Sequence, residues 1–102
     1  MNMKEMIRQA QVMQRKMSDK QEELKQTIVE ASSGGGMVTV KANCGQEVSE
    51  IIIEDSVMES GDKEMLQDLV LTATNEALKK SKEVMEKELS SITGGMSIPG
   101  MF

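Results

Sequence analysis

The chain has 102 residues, a net charge of -5, no Trp or Tyr and a single Phe, so it holds one domain at most and cannot build a ring-filled core. Eleven methionines supply much of the apolar material instead, and such adaptable side chains suit helix seams and interfaces, which predicts a dimer. With no histidine, the commonest general base and metal ligand are missing, so the expectation is no catalysis, no metal and no cofactor.

From Asn2 to Gln26 the spacing predicts a long helix. Apolar residues recur at Met3, Met6, Ala10, Met13, Met17 and Leu24, alternating steps of three and four, with Ile7 widening the stripe. Lys20 is the one break in this seam. The remaining positions are helix-forming Lys, Glu, Gln and Arg, and a seam this narrow calls for a second helix against it.

The chemistry then changes. Thr27 to Ala31 favours a strand, and Ser32 to Gly36 reads as a turn. Met37 to Ala42 alternates, with Val38, Val40 and Ala42 on one face, and Asn43 to Gln46 is a hairpin connection. Glu47 to Glu54 is a third strand. Its Ile51, Ile52 and Ile53 put bulk on both faces of the sheet, one to be covered by the chain's own helices and the other by a second copy. Val40, Ile51, Ile52 and Ile53 are therefore the expected dimer interface. Asp55-Ser56 starts a turn, and Ser60 or Asp62 caps a second long helix. That helix shows a first stripe at Leu66, Leu69, Val70, Ala73 and Ala77, and a rotated one at Leu78, Met85, Leu89 and Ile92. Thr93-Gly94-Gly95 stops it. The apolar segment Met96 to Phe102 either docks onto a groove or is disordered.

The expected fold is α+β: a long helix, a three-stranded antiparallel sheet and a long helix, in a homodimer. One domain covers 1–102, with a helical arm at 1–26, the sheet and dimer body at 27–55, a second arm at 60–93 and the tail at 94–102. Cys44 alone rules out an internal disulfide and fits a reducing compartment. Residues Met1 to Lys20 are too polar for a signal peptide, and no apolar run approaches membrane-spanning length, so the expected location is the cytoplasm with no membrane partner.

An acidic protein is a poor starting point for nucleic-acid binding, but the charge is unevenly spread. Met1 to Met17 carries Lys4, Arg8, Arg15 and Lys16 against Glu5 alone. Lys79, Lys80, Lys82 and Lys87 stand against Glu83, Glu86 and Glu88, while Ser18 to Leu78 holds 4 basic and 13 acidic residues. If the two helices pack antiparallel, both basic segments fall at a distal arm. Lys4, Arg8 and Arg15 then lie together, nearly opposite the Met3–Ala10–Met17 seam. These eight basic residues are the expected DNA contacts. Glu76–Lys80 and Glu83–Lys87 equally fit the surface pairs of an ordinary solvated helix. Lys4 and Arg8, like charges one turn apart, make better sense beside an anion.

Other constellations are weaker. Ser33-Gly34-Gly35-Gly36 lacks the spacing of a phosphate loop and precedes a strand, so it is a structural turn. Cys44 has no basic neighbour and no second thiol. Glu47, Glu50, Glu54 and Asp55 are read as a solvated face, and the methionine stripe as packing.

The stretch Arg8 to Met17 with Gln21 to Leu24 resembles the opening helix of the YbaB/EbfC family. Gly34 to Val40, Gly45, Val48 to Asp55, Asp62 to Val70 and Gly94 to Met101 follow in that family's order over nearly the whole chain. The resemblance implies a cytoplasmic, nucleoid-associated DNA binder. Paired sheets would form its body and long helices would project like tweezers, with a role in nucleoid organisation or gene regulation. The expected function is thus a homodimer holding double-stranded DNA between helical arms, mainly by phosphate contacts. No aromatic stands on the arms to stack single-stranded bases, and base readout would fall to Arg8, Arg15, Gln9, Gln11 or Gln14. The alternative is a dimeric clamp whose methionine-rich arms grip a helix of a DNA-repair or replication protein.

Overall fold

The computed structural model describes residues 2–94; Met1 and residues 95–102, including the apolar tail, lie outside the described residues. The order is α1 (Met3–Lys25), β1 (Ile28–Ser33), β2 (Val38–Asn43), β3 (Val48–Ile53), α2 (Asp55–Ser60) and α3 (Lys63–Thr93). This is the expected helix, antiparallel sheet and helix, with one short helix added.

Local chemistry accounts for most boundaries. Asn2 caps α1, its side-chain oxygen accepting from the Glu5 N–H at 2.8 Å. Asp62 does the same for α3 through the Met65 N–H at 2.9 Å. Between β1 and β2, Gly34, Gly35 and Gly36 all have positive φ (60°, 66° and 99°), a path that only glycine follows without strain. The three glycines are therefore a turn. Asn43 closes the next hairpin: its side-chain oxygen accepts from the N–H groups of Gly45 at 2.9 Å and Glu47 at 3.2 Å.

Two boundaries differ from expectation. Ser32 and Ser33 belong to β1, because the Ser32 and Thr39 hydroxyls bond across the ladder at 3.0 Å and the Ser33 hydroxyl donates to the Leu69 carbonyl at 2.6 Å. Asp55-Ser56 opens helix α2 instead of a simple turn. Buried Val57 anchors that helix, and Gly61, with a left-handed φ of 69°, ends it.

The strands lie in the order β1-β2-β3, both pairs antiparallel. β2 alternates strictly, with Val38, Val40 and Ala42 fully buried. Those side chains form one cluster with Ala31, Ala73 and Ala77, which places the first half of α3 on the sheet. Ala73, Ala77 and Ser81 are completely inaccessible, and such small residues let helix and sheet backbones approach closely. Gln46 Nε2 donates to the buried Ser81 hydroxyl at 2.6 Å, fixing the far end of the contact.

The second half of α3 runs past the sheet and packs on α1. Met17, Leu24, Cys44 and Leu89 form a separate cluster, flanked by Val84, Met85 and Ile92. Of the second stripe read from α3, Met85, Leu89 and Ile92 serve α1, whereas Leu78 packs with the first stripe against the sheet. A Cα radius of gyration of 18.9 Å and extents of 68 × 21 × 17 Å describe a rod. A compact chain of this length would have a radius of about 13 Å.

Leu24 is 3% exposed at the root of α1, where arm and body meet. Leu24→Ala should lower the unfolding free energy by about 2–5 kcal/mol, the usual cost of emptying a leucine site. Urea unfolding followed by circular dichroism checks it.

Candidate nucleic-acid interface

The geometry of the arm starts at its root. The Cys44 N–H donates to the carbonyls of both Leu24 (3.0 Å) and Thr27 (2.9 Å), tying the β2–β3 hairpin to the end of α1. From there α1 runs back antiparallel along α3. Lys20, the break in the apolar seam, sits at the crossing and bridges Glu23 at 3.2 Å and Glu88 at 3.4 Å. Hydrogen bonds to Glu23 and then Glu88 raise its pKa, so it stays charged and committed to those carboxylates. Reading the sequence leaves this role unassigned, although a lysine in an apolar seam facing an acidic partner helix is its visible signal.

Beyond Lys20, α1 is progressively uncovered. Residues 2–16 are all exposed. Met17 and Leu24 mark the side turned to α3, and at about 100° per residue Lys4, Arg8 and Arg15 fall on the opposite side. Lys16 flanks them, and Arg8 and Lys16 both border a groove that Ile92 of α3 also lines. Among the described residues none of these four makes an ion pair, and only Glu5 offsets them on that part of α1. The structure thus collects a row of unpaired cations on a projecting rod.

The lysines of α3 are placed differently from expectation. Lys80 lies over the body, its ammonium donating to the Glu30 backbone carbonyl of β1 at 3.0 Å. Lys79 and Lys82 flank buried Ser81 at the same level, and Lys82 reaches Glu86 at 4.0 Å. Lys87 stands beside Glu88, part of the way along the arm. The physical reason is length: α3 spends its first half on the sheet, so residues 79–82 have only reached the sheet's end. The distal cations are those of α1 alone. At the other end of the body, Asp62, Glu64 and Asp68 line a depression of about 510 Å³, which makes the rod electrically polar along its axis.

The expected dimer residues also separate. Val40 is fully buried in its own chain's core, in one cluster with Ala73 and Ala77, so its side chain offers nothing to a partner. Ile53, opposite Val38, is half-buried against the same cluster. Ile51 and Ile52 remain 46% and 43% exposed, on opposite faces of the edge strand β3, and Val48 is 40% exposed. No helix of the described residues is long and apolar enough to cross a membrane.

The described residues thus form an elongated chain of one helix, three strands and two helices, with cations exposed along the first helix. The profile of the YbaB/EbfC DNA-binding family matches residues 1–96, and the chain belongs to that family. It is 52% identical over 102 residues to a nucleoid-associated protein of Acetivibrio thermocellus, spanning 99% of this chain and 90% of that one. A nucleoid-associated protein of Alkaliphilus metalliredigens is 46% identical over 101 residues, spanning 99% and 89%. Among solved structures, an uncharacterized protein from Helicobacter pylori superposes with a TM-score of 0.82 at 31% identity, over 92% of this chain and 99% of that one.

Cys44 reports on the root of the arm. Its thiol is inaccessible, and burial, helped by the Glu88 carboxylate, pushes its pKa up. The folded thiol therefore stays neutral where an exposed cysteine, near pH ~8.5, already ionises. Iodoacetamide at pH 8 should leave Cys44 intact in the folded protein and modify it fully in urea, as read by mass spectrometry. Because the folded pKa is the higher one, this contribution to stability is complete below pH ~8.5 and is lost above it. Cys44→Ala should therefore flatten the alkaline fall in urea midpoint.

Proposed function

We propose that two copies of this chain join through the β3 side of the sheet and hold duplex DNA with their α1 arms. The observation that carries this reading is the row of Lys4, Arg8 and Arg15, exposed on α1 and without an ion pair among the described residues, with Arg8 bordering the groove beside Ile92. Cations held in a row on a rigid helix match the repeating charge of a phosphate backbone, and binding there is favoured by release of condensed counterions. Lys16 extends the row. Gln9, Gln11 and Gln14 are exposed beside it and able to meet base edges. The acidic body keeps DNA at the arms and away from the sheet.

The dimer follows from β3. It is an edge strand carrying exposed Val48, Ile51 and Ile52, which an isolated chain would leave in water. A second copy on this edge covers them and sets two arms on one particle. The relatives' description as nucleoid-associated proteins supports a place on the bacterial nucleoid, in the cytoplasm, and a part in nucleoid organisation or gene regulation. The reaction class is binding, with no catalytic step.

The bare apolar residues Met3, Met6, Ile7 and Met13 favour a second reading, a clamp on a helix of another protein. Charge and apolar variants separate the two. Arg8→Glu with Arg15→Glu removes DNA binding in the first reading, whereas Met6→Lys with Met13→Lys removes partner binding in the second.

Fluorescence anisotropy of a labelled duplex of about 30 base pairs, titrated across a salt series, tests the DNA reading. Log K should fall linearly with log salt at about -0.9 per phosphate contact, hence about -4 to -7 for four to eight contacts. The Arg8→Glu, Arg15→Glu double variant should flatten that slope while remaining folded. Absence of binding even at low salt would falsify it and leave the helix clamp. For the dimer, Ile51→Glu with Ile52→Glu should halve the mass seen by light scattering; an unchanged mass places the contact elsewhere.

A further inference from the structure

The apolar stripe of α1 loses the cover of α3 where that helix ends at Thr93. Just there, a shallow groove of about 280 Å³ has Val12, Met13 and Ile92 as its apolar lining and Arg8, Gln9 and Lys16 as its polar lining. Arg8 and Lys16 make no ion pair among the described residues. An apolar floor between two such cations fits an apolar side chain flanked by carboxylates. The opposite end of the rod presents that combination. Helix α2 is anchored by buried Val57 and leaves Met58 59% exposed. Exposed Asp55 and Glu59 flank Met58, and no Lys or Arg stands between Glu54 and Asp62. Among the described residues, neither Asp55 nor Glu59 makes an ion pair.

We infer that α2 of a second copy seats on the α1 groove, with Met58 against Val12, Met13 and Ile92 and with Asp55 and Glu59 meeting Arg8 and Lys16. Along their helices Arg8 and Lys16 stand about 12 Å apart, and Asp55 and Glu59 about 6 Å. The long Arg and Lys side chains close that difference. The rod is 68 Å long with α2 and the groove toward opposite ends, so one chain does not make the contact with itself. The contact joins unlike surfaces, so every chain added still offers one groove and one α2, and association continues head to tail. The net charge of -5 does not forbid it. A Debye length of ~10 Å restricts each end to the field of the end it faces. A six-residue helix on a shallow groove is a small contact, so the association is weak and grows with concentration. It does not rest on DNA binding, although Arg8 serves both and a duplex on the arm opposes it.

Light scattering of the full-length chain without DNA, over a concentration series at low and at high salt, tests this. The weight-average mass should climb with concentration at low salt and level off at high salt, where a dimer formed through β3 persists. Arg8→Glu with Lys16→Glu should abolish the climb, and so should Asp55→Lys with Glu59→Lys. Mixing these two variants should bring it back, because the acidic α2 of the first fits the basic groove of the second, and the reversed pair fits likewise. That recovery also shows that both variants are folded. A mass independent of concentration at low salt overturns the inference and leaves the groove to a helix of another protein. A climb that survives both charge reversals, or a mixture no larger than its parts, overturns it equally.

Discussion

The mismatch in length between α3 and the sheet governs the rest of the structure. Three strands of six residues each extend about 20 Å, while the 31 residues of α3 extend about 46 Å. Half of the helix therefore has no sheet beneath it and must bury its apolar side elsewhere. Only α1 is positioned to meet it, and the pairing of Met17 and Leu24 with Leu89 is the result. α1 then outruns α3 in turn, and its first residues project with nothing of the described chain against them. Each element hands the next one an overhang, and the rod shape follows.

That staircase sorts charge as well as length. The acidic excess belongs to segments spent on the body, where Asp62, Glu64 and Asp68 gather at one end. Lys4, Arg8, Arg15 and Lys16, without an ion pair among the described residues, belong to the last element to be left uncovered. Lys20, Lys80 and Lys82 sit where elements overlap, and each is engaged with a carboxylate or a carbonyl. Lys4, Arg8 and Arg15 sit beyond the overlap, facing solvent. A net-acidic chain can thus present a basic tip, because DNA senses local field over about one Debye length of ~10 Å and not total charge.

The sheet has a parallel asymmetry. α3 lies over β1 and β2 and buries Val38, Val40 and Ala42 completely, yet leaves Ile51 of β3 half in water. An edge strand with apolar residues on both faces is a liability for a free chain, and association through that edge is the economical remedy. Adaptable methionines and an absence of rings suit a molecule whose buried surface is divided among small separate contacts.

Much was legible before any coordinates. The three-four spacing of Met3 to Leu24 specified α1, strict alternation specified β2, three successive glycines specified the turn, and the start of α3 was narrowed to a cap at Ser60 or Asp62, because each depends on neighbours in the chain. The rotated second stripe of α3 was visible too, but what it packs on was not: Met85, Leu89 and Ile92 meet α1, whereas Leu78 stays on the sheet. Tertiary structure alone decided the rest. Residue spacing does not say where along α3 the sheet ends, so Lys79, Lys80 and Lys82 came to lie over the body and not at the tip. Nor does alternation say which face a helix covers, so Val40 went to the core and Ile52 to the surface. Local periodicity sets what each element is, whereas the relative lengths and offsets of packed elements set which of its residues meet solvent, and those offsets exist only once the elements are in contact.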